Sequence, residues 1–169
     1  GETIVDEYDY VDVMGKAAKE NIIATRYRGR EVFAGGVVAA ANHAAGFCCE
    51  VEVVTTIGAD YVDLIDEHVL RNVKLSKFAV EGRPTIRKKR FVEEDSLAKL
   101  FEVYYMEKAP ISDDIAHDIA SHIKKIAKDY DVVIVCDFGH GMMVPCITDA
   151  VIENAKFLAV NAQANAGNM

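Results

Sequence analysis

The 169-residue sequence has no tryptophan, three prolines and four cysteines. Cys48, Cys49, Cys136 and Cys146 form no Cys-x-x-Cys pair and show no zinc-site spacing, which argues against a cysteine metal centre or a disulfide framework. They are expected to be reduced, buried packing residues. Basic residues are scarce, 19 Lys and Arg against 27 Asp and Glu, and the net charge of −8 speaks against nucleic acid or an anionic membrane as partner. No apolar run approaches the roughly 18 to 20 residues that cross a bilayer. The opening Gly1-Glu2-Thr3 carries no signal-peptide pattern, so a cytoplasmic protein is expected. His117 and His122 lie five apart, on different faces of any helix, which makes them poor joint metal ligands.

With 51% apolar residues the chain can build one sizeable core. The runs 50–56, 131–136 and 157–160 are β-branched and continuously apolar, as in parallel strands buried on both faces. Helical periodicity over 60–72, 112–128 and 144–154 alternates with them. Ser112-Asp113-Asp114 reads as a capped helix start, Lys124, Lys125 and Lys128 load the other end, and Pro145 suits a first helical turn. The order predicts an α/β doubly wound sheet with helices on both faces. Two stretches, about 8–33 and 77–107, alternate and are rich in aromatics, and they read as antiparallel ribbons projecting from the core.

Phe33-Ala34-Gly35-Gly36 opens a helix whose face is almost bare, with Asn42 two turns along. Glycines at a loop-to-helix junction let a ligand approach unpaired backbone N–H groups, or merely permit a tight turn. The run Arg87-Lys88-Lys89-Arg90 is the strongest basic segment in this acidic chain. On a strand, Lys88 and Arg90 share one face and Lys89 takes the other, so the run is either an anion anchor or a solvated face.

These motifs, in the order Gly1 to Tyr8, Phe33 to Gly36 with Asn42, Thr56-Ile57-Gly58-Ala59-Asp60 and Cys136-Asp137-Phe138-Gly139-His140-Gly141, resemble those of the ribokinase-like (PfkB) carbohydrate kinases. Pro84-Thr85-Ile86-Arg87-Lys88-Lys89-Arg90 is similar to a Pro-Thr-x-x-Lys-x-Arg segment in the kinase half of the bifunctional ADP-heptose synthases. The resemblance implies the N-terminal part, over residues 1–169, of one sugar kinase domain beginning just after the first core strand. The two ribbons would form a small β lid that pairs with a neighbouring subunit's lid in a homodimer.

It further implies that Asp6, at the end of a first strand Ile4-Val5, accepts hydrogen bonds from sugar hydroxyls, that Gly35, Gly36 and Asn42 contact the sugar, and that Lys88 and Arg90 hold its phosphate. Asp137, Gly139, Gly141 and Asn161 would lie near the nucleotide phosphates and Mg²⁺, with Asp137 acting through water or serving only as a strand-end aspartate. Phe138 and His140 stand where the family has tyrosine and lysine, and the Asn-rich tail 161–168 replaces the Asp-Pro-Lys usual in heptose kinases. The implied reaction is ATP γ-phosphoryl transfer to a sugar or sugar phosphate such as heptose 7-phosphate, with no direct metal ligand here. The Gly-Ala-Gly-Asp motif that carries the base belongs to a C-terminal half, so no catalytic residue is expected in this chain. A fused nucleotidyltransferase domain is a further implied feature. The alternative is a non-catalytic module that binds sugar phosphate or mediates dimerisation.

Overall fold

The computed structural model of the chain describes residues 1–107 and 109–164. Two strands of 14 residues, β1 (Thr3–Lys16) and β2 (Ile23–Gly36), form a long antiparallel hairpin. A second hairpin joins β5 (Ile86–Glu93) to β6 (Lys99–Tyr105). Parallel pairing of β1 with β5, from Ile4 opposite Ile86 to Val11 opposite Glu93, fuses the hairpins into a four-stranded sheet ordered β2-β1-β5-β6. This sheet contains both ribbons expected to form a lid and is called the lid for that reason.

The ribbons therefore have other limits than 8–33 and 77–107. Residues 77–79 belong to β4 (Val73–Ala79), which pairs in parallel with β3 (Val51–Ile57) in the core. Nor does Asp6 end a strand: the alternation of Glu7, Asp9 and Val11 inward continues β1 for ten residues beyond it. One face of the lid buries Glu7 and Asp9, which would be prohibitive without counter-charges. Arg87 and Lys89 reach Glu7 at 2.8 and 2.9 Å, while Arg30 and Lys89 reach Asp9 at 2.7 Å. Burial disfavours both charges, and these donors outweigh it, holding both carboxyls below their ordinary range.

Below the lid, α1 (Val37–Ala45) packs Val38 and Ala41 with Val5, Val53 and Ile65. The helical periodicity of 60–72 yields only α2 (Val62–Glu67). Asn42 and Asn72 explain the shortening. Asn42 accepts from the Leu70 N–H and donates to the His68 carbonyl, Asn72 donates to the Ala45 and Cys48 carbonyls, and together they draw 68–72 into a turn against α1.

The second core layer is β7 (Val133–Asp137), parallel to β8 (Leu158–Ala162) through α4 (Pro145–Asn154). Ile119 and Ile123 of α3 (Asp113–Ile126) meet Ile147 and Val151 of α4 over Val135. Each such side chain contributes roughly 1.5–3 kcal/mol by leaving water. Ser112 takes the extended N-cap conformation without a side-chain cap bond, and Pro145 occupies the first turn of α4.

The core strands stand as two parallel pairs, β3–β4 and β7–β8, on either side of an apolar cavity of about 200 Å³ lined by Val51, Val53, Val133 and Val135 among others. The run 131–136 is consequently not buried on both faces, since Ile134 is 54% exposed beside this cavity. Cys48 and Cys49 are also exposed rather than buried, because the turn after α1 carries them past the end of the core, whereas Cys136 is buried. Among the described residues no helix is long and apolar enough to cross a membrane.

Candidate functional site

On the lid face opposite the Glu7 and Asp9 cluster, strand alternation lines up Asp6 and Tyr8 of β1, Lys88 and Arg90 of β5, and Glu102 and Tyr104 of β6. Arg90 donates to Asp6 at 2.5 Å and lies 3.3 Å from Glu102, with its guanidinium 5.3 Å from the Tyr8 ring centre. The Lys88 ammonium lies 5.1 Å over the Tyr104 ring and makes no ion pair among the described residues. Burial lowers its proton affinity against the pull of nearby Asp6, and Arg90 adds to the lowering.

Gly35 makes room for this arrangement. A Cβ there would collide with the Asp6 carboxylate, so the glycine pair lets the carboxylate lie flat against β2. Gly36 turns the chain into α1 with φ 59°, and the Val37 N–H donates to the Glu2 carbonyl at 3.1 Å.

The amide of Asn42, expected at the ligand, donates to the His68 carbonyl and accepts the Leu70 N–H, so that it also holds the 68–70 backbone. The other expected residues fall in two neighbouring groups. Asp6, Gly35, Gly36, Lys88 and Arg90 belong to the lid and its junction with α1. Asp137, Gly139 and Gly141 belong to the loop after β7, where the Asp137 carboxylate accepts the Gly139 N–H at 2.8 Å and both glycines have positive φ. Asn161 sits on β8 opposite Cys136 and is exposed. Of the tail 161–168, residues 165–168 lie outside the described residues.

Glu2 joins the two groups and was not anticipated. Only 1% exposed, its carboxylate accepts the N–H groups of Phe138 at 3.2 Å, His140 at 3.2 Å and Met142 at 3.4 Å. The signal available in sequence was a lone carboxylate beside the apolar start of a strand. Tyr8, Glu102 and Tyr104 were also missed, since their shared face depends on the register of β1, β5 and β6.

Where lid and core meet, a small polar cavity of about 40 Å³ is lined by Thr3, Thr56, Arg83, Thr85, Glu107 and His140, among others. Thr85 ties this junction down by donating to the Asp60 carbonyl and accepting the Gly58 N–H. His140 is buried, and neither ring nitrogen has a hydrogen-bond partner among the described residues. Burial lowers its proton affinity, and Lys88 lowers it further.

Several solved structures superpose on this chain. Phosphofructokinase-2 from Escherichia coli, in complex with fructose-6-phosphate, superposes with TM-score 0.67 over 98% of this chain and 55% of that one, at 12% identity. A possible 1-phosphofructokinase from Thermotoga maritima gives TM-score 0.68 over 94% and 51%, at 10% identity. The chain has the fold of these phosphofructokinases.

Curated proteins similar to this chain in sequence are bifunctional HldE proteins. That of Nitratiruptor sp. is 21% identical over 157 residues, covering 92% of this chain and 34% of that protein. The Helicobacter hepaticus protein is 28% identical over 155 residues, covering 90% and 28%. No family model matches the chain. The chain thus spans about a third of the length of these curated relatives and about half of the solved PfkB-fold chains.

Proposed function

We propose that this chain forms part of a sugar kinase domain whose lid face binds a phosphorylated sugar, and that the full-length protein transfers the ATP γ-phosphoryl group to a hydroxyl of that sugar. The observation that carries the reading is the row Asp6, Lys88, Arg90 and Tyr104 on one lid face, whose strand β1 directly follows the Glu2 that holds Phe138, His140 and Met142. In this reading the second oxygen of Asp6, next to Gly35, accepts sugar hydroxyls, while Lys88 and Arg90 hold the sugar's phosphate. Arg90 comes oriented by Asp6 and Glu102. Lys88 brings a charge whose partner is the ligand. A phosphorylated sugar such as heptose 7-phosphate fits this balance, and the HldE relatives favour that class.

Phosphoryl transfer needs positioning and neutralisation of charge more than covalent help from the protein. Among the described residues no cluster of three or more His, Cys, Asp or Glu is arranged to hold a metal. Asp137 is the nearest carboxylate of the loop, and one of its oxygens is bonded to Gly139. In this reading Asp137 would contact an ATP-bound Mg²⁺ through water, and the ion would neutralise charge on the transferred group. The loop 137–141, fixed by Glu2, would lie against those phosphates, with Asn161 one strand away.

The exposed apolar side chains Met14, Ile23, Tyr27 and Phe101 of the lid suit pairing with the lid of a second copy, which would make the protein a homodimer. The test of the reading is ADP release by the full-length protein with Mg-ATP and a panel of sugars and sugar phosphates. Turnover confined to phosphorylated sugars is the expected result. Binding without turnover would make the protein a sugar-phosphate binding module instead.

A further inference from the structure

We infer that Tyr104 is a positioning residue for recognition of the sugar's phosphate: its ring face seats the Lys88 ammonium, and its hydroxyl, tied to Glu102, holds the ring in place. The inference rests on the kinase reading above and gives a role at the same site to a residue that has none there.

Four consecutive cations leave β5, and three of them end on carboxylates. Arg87 pairs with Glu7, Lys89 with Glu7 and Asp9, and Arg90 with Asp6 and Glu102. Lys88 has no ion pair among the described residues and meets an aromatic face instead. Tyr104 stands directly opposite it in the register of β5 and β6, and the ammonium lies 5.1 Å from the ring centre. The electron-rich face of a tyrosine attracts a cation without cancelling its charge. The N–H donors of the ammonium that point away from the ring stay open to an acceptor, whereas a carboxylate in the ring's place would compete with an incoming phosphate.

The ring is itself held. Its hydroxyl donates to the Glu102 carboxylate at 2.5 Å, and Glu102 lies 3.3 Å from the guanidinium of Arg90, its own partner across the strands. The bond to Glu102 raises the pKa of the phenol above its ordinary value, so the hydroxyl keeps its proton and remains a donor. Asp6, Arg90, Glu102, Tyr104 and Lys88 thus form one chain of contacts across three strands. A lysine side chain has many rotamers, and freedom given up before the ligand arrives is not lost again on binding. The other face of the lid supplies a comparison. Arg87 lies 3.8 Å from the Tyr105 ring centre, but Glu7 already neutralises that guanidinium.

Lysine-labelled NMR of the full-length protein reads the contact without any activity. Ring current should move the Lys88 ε-methylene signal upfield of the other lysines in the wild type and in Tyr104→Phe, and the signal should return among them in Tyr104→Leu. With Mg-ATP and a sugar phosphate that supports ADP release, Tyr104→Leu should raise KM about fivefold and leave kcat within about twofold of the wild type. Tyr104→Phe, which keeps the ring, and Tyr105→Leu should stay within about twofold of the wild type in both constants. In a Lys88→Met background, Tyr104→Leu should cause no further rise in KM. The inference is overturned by an unshifted Lys88 signal in the wild type, by an unchanged KM in Tyr104→Leu, or by an equal rise in the Lys88→Met background. Absence of ADP release with every sugar phosphate, while the Lys88 signal keeps its shift, would instead overturn the kinase reading and this inference with it.

Discussion

The His140 N–H donates to the buried carboxylate of Glu2, a residue 138 positions earlier in the chain. Through this bond and those from Phe138 and Met142, the start of lid strand β1 fixes the loop that follows core strand β7. Substituting Glu2 by alanine would leave three inward backbone donors without their acceptor, at about 1–3 kcal/mol for each unsatisfied group. Thermal denaturation of Glu2→Ala should show a midpoint lower by at least about 5 °C. Glu2→Gln, which keeps an acceptor oxygen, should lose less. An unchanged midpoint in Glu2→Ala would remove Glu2 from this role.

Lys88 and Lys89 are adjacent in sequence but are expected to fail in different ways. Lys89 sits between the buried carboxylates of Glu7 and Asp9, so Lys89→Met leaves them undercompensated and should cost about 3 kcal/mol of stability. Lys88→Met removes no ion pair of the described protein and should leave stability nearly unchanged. Denaturant unfolding of the two variants checks this. Equal losses would show that the two faces of β5 are not distinguished as described.

Glu52 makes stability depend on acid. Burial disfavours its charge, but hydrogen bonds from Ser76, Lys74, His122 and Tyr130 prevail and bring its pKa from 4.5 to about 2. A carboxyl depressed in the folded state stabilises fully above its unfolded pKa and loses that contribution as pH falls through the folded one. Stability should therefore decline between pH 4.5 and about 2. In Glu52→Gln the decline over that window should be shallower. Identical acid profiles for the variant and the wild type would contradict the network around Glu52.

Gly35 tests the geometry at Asp6. A methyl group at Gly35 meets the Asp6 carboxylate and must push it away from β2, loosening its bond to Arg90. Gly35→Ala in the full-length protein should weaken sugar-phosphate binding on the order of tenfold, measured by calorimetry, as expected for loss of a charge-assisted hydrogen bond. Asp6→Asn should have a similar effect. Unaltered affinity in both variants would take Asp6 out of the site.

Much of this fold could be read from local pattern. The glycine pair ahead of α1, the apolar run of β3 and the spacing of α3 each carry their instruction within a few residues. The shared face of Lys88 and Arg90 followed from strand alternation alone. What escaped depends on contacts between distant segments. That the Asn42 amide holds the 68–70 turn has no local signal. Asp6 appears to end a strand until β5 pairs alongside β1, and Glu2 has no meaning until the loop 138–142 closes over it. The exposed side of Ile134 likewise depends on what stands beside β7, which its own apolar run does not encode.

The central claim, that this lid face recognises a phosphorylated sugar for phosphoryl transfer, is tested most directly by steady-state ADP release from the full-length protein. Wild type and Lys88→Met would be compared with a sugar phosphate and with the same sugar lacking its phosphate. The account expects turnover with the sugar phosphate, a KM raised on the order of tenfold or more in Lys88→Met, and no comparable loss with the unphosphorylated sugar. Equal KM values for wild type and Lys88→Met on the phosphorylated sugar, or no preference for the phosphorylated form, would contradict it.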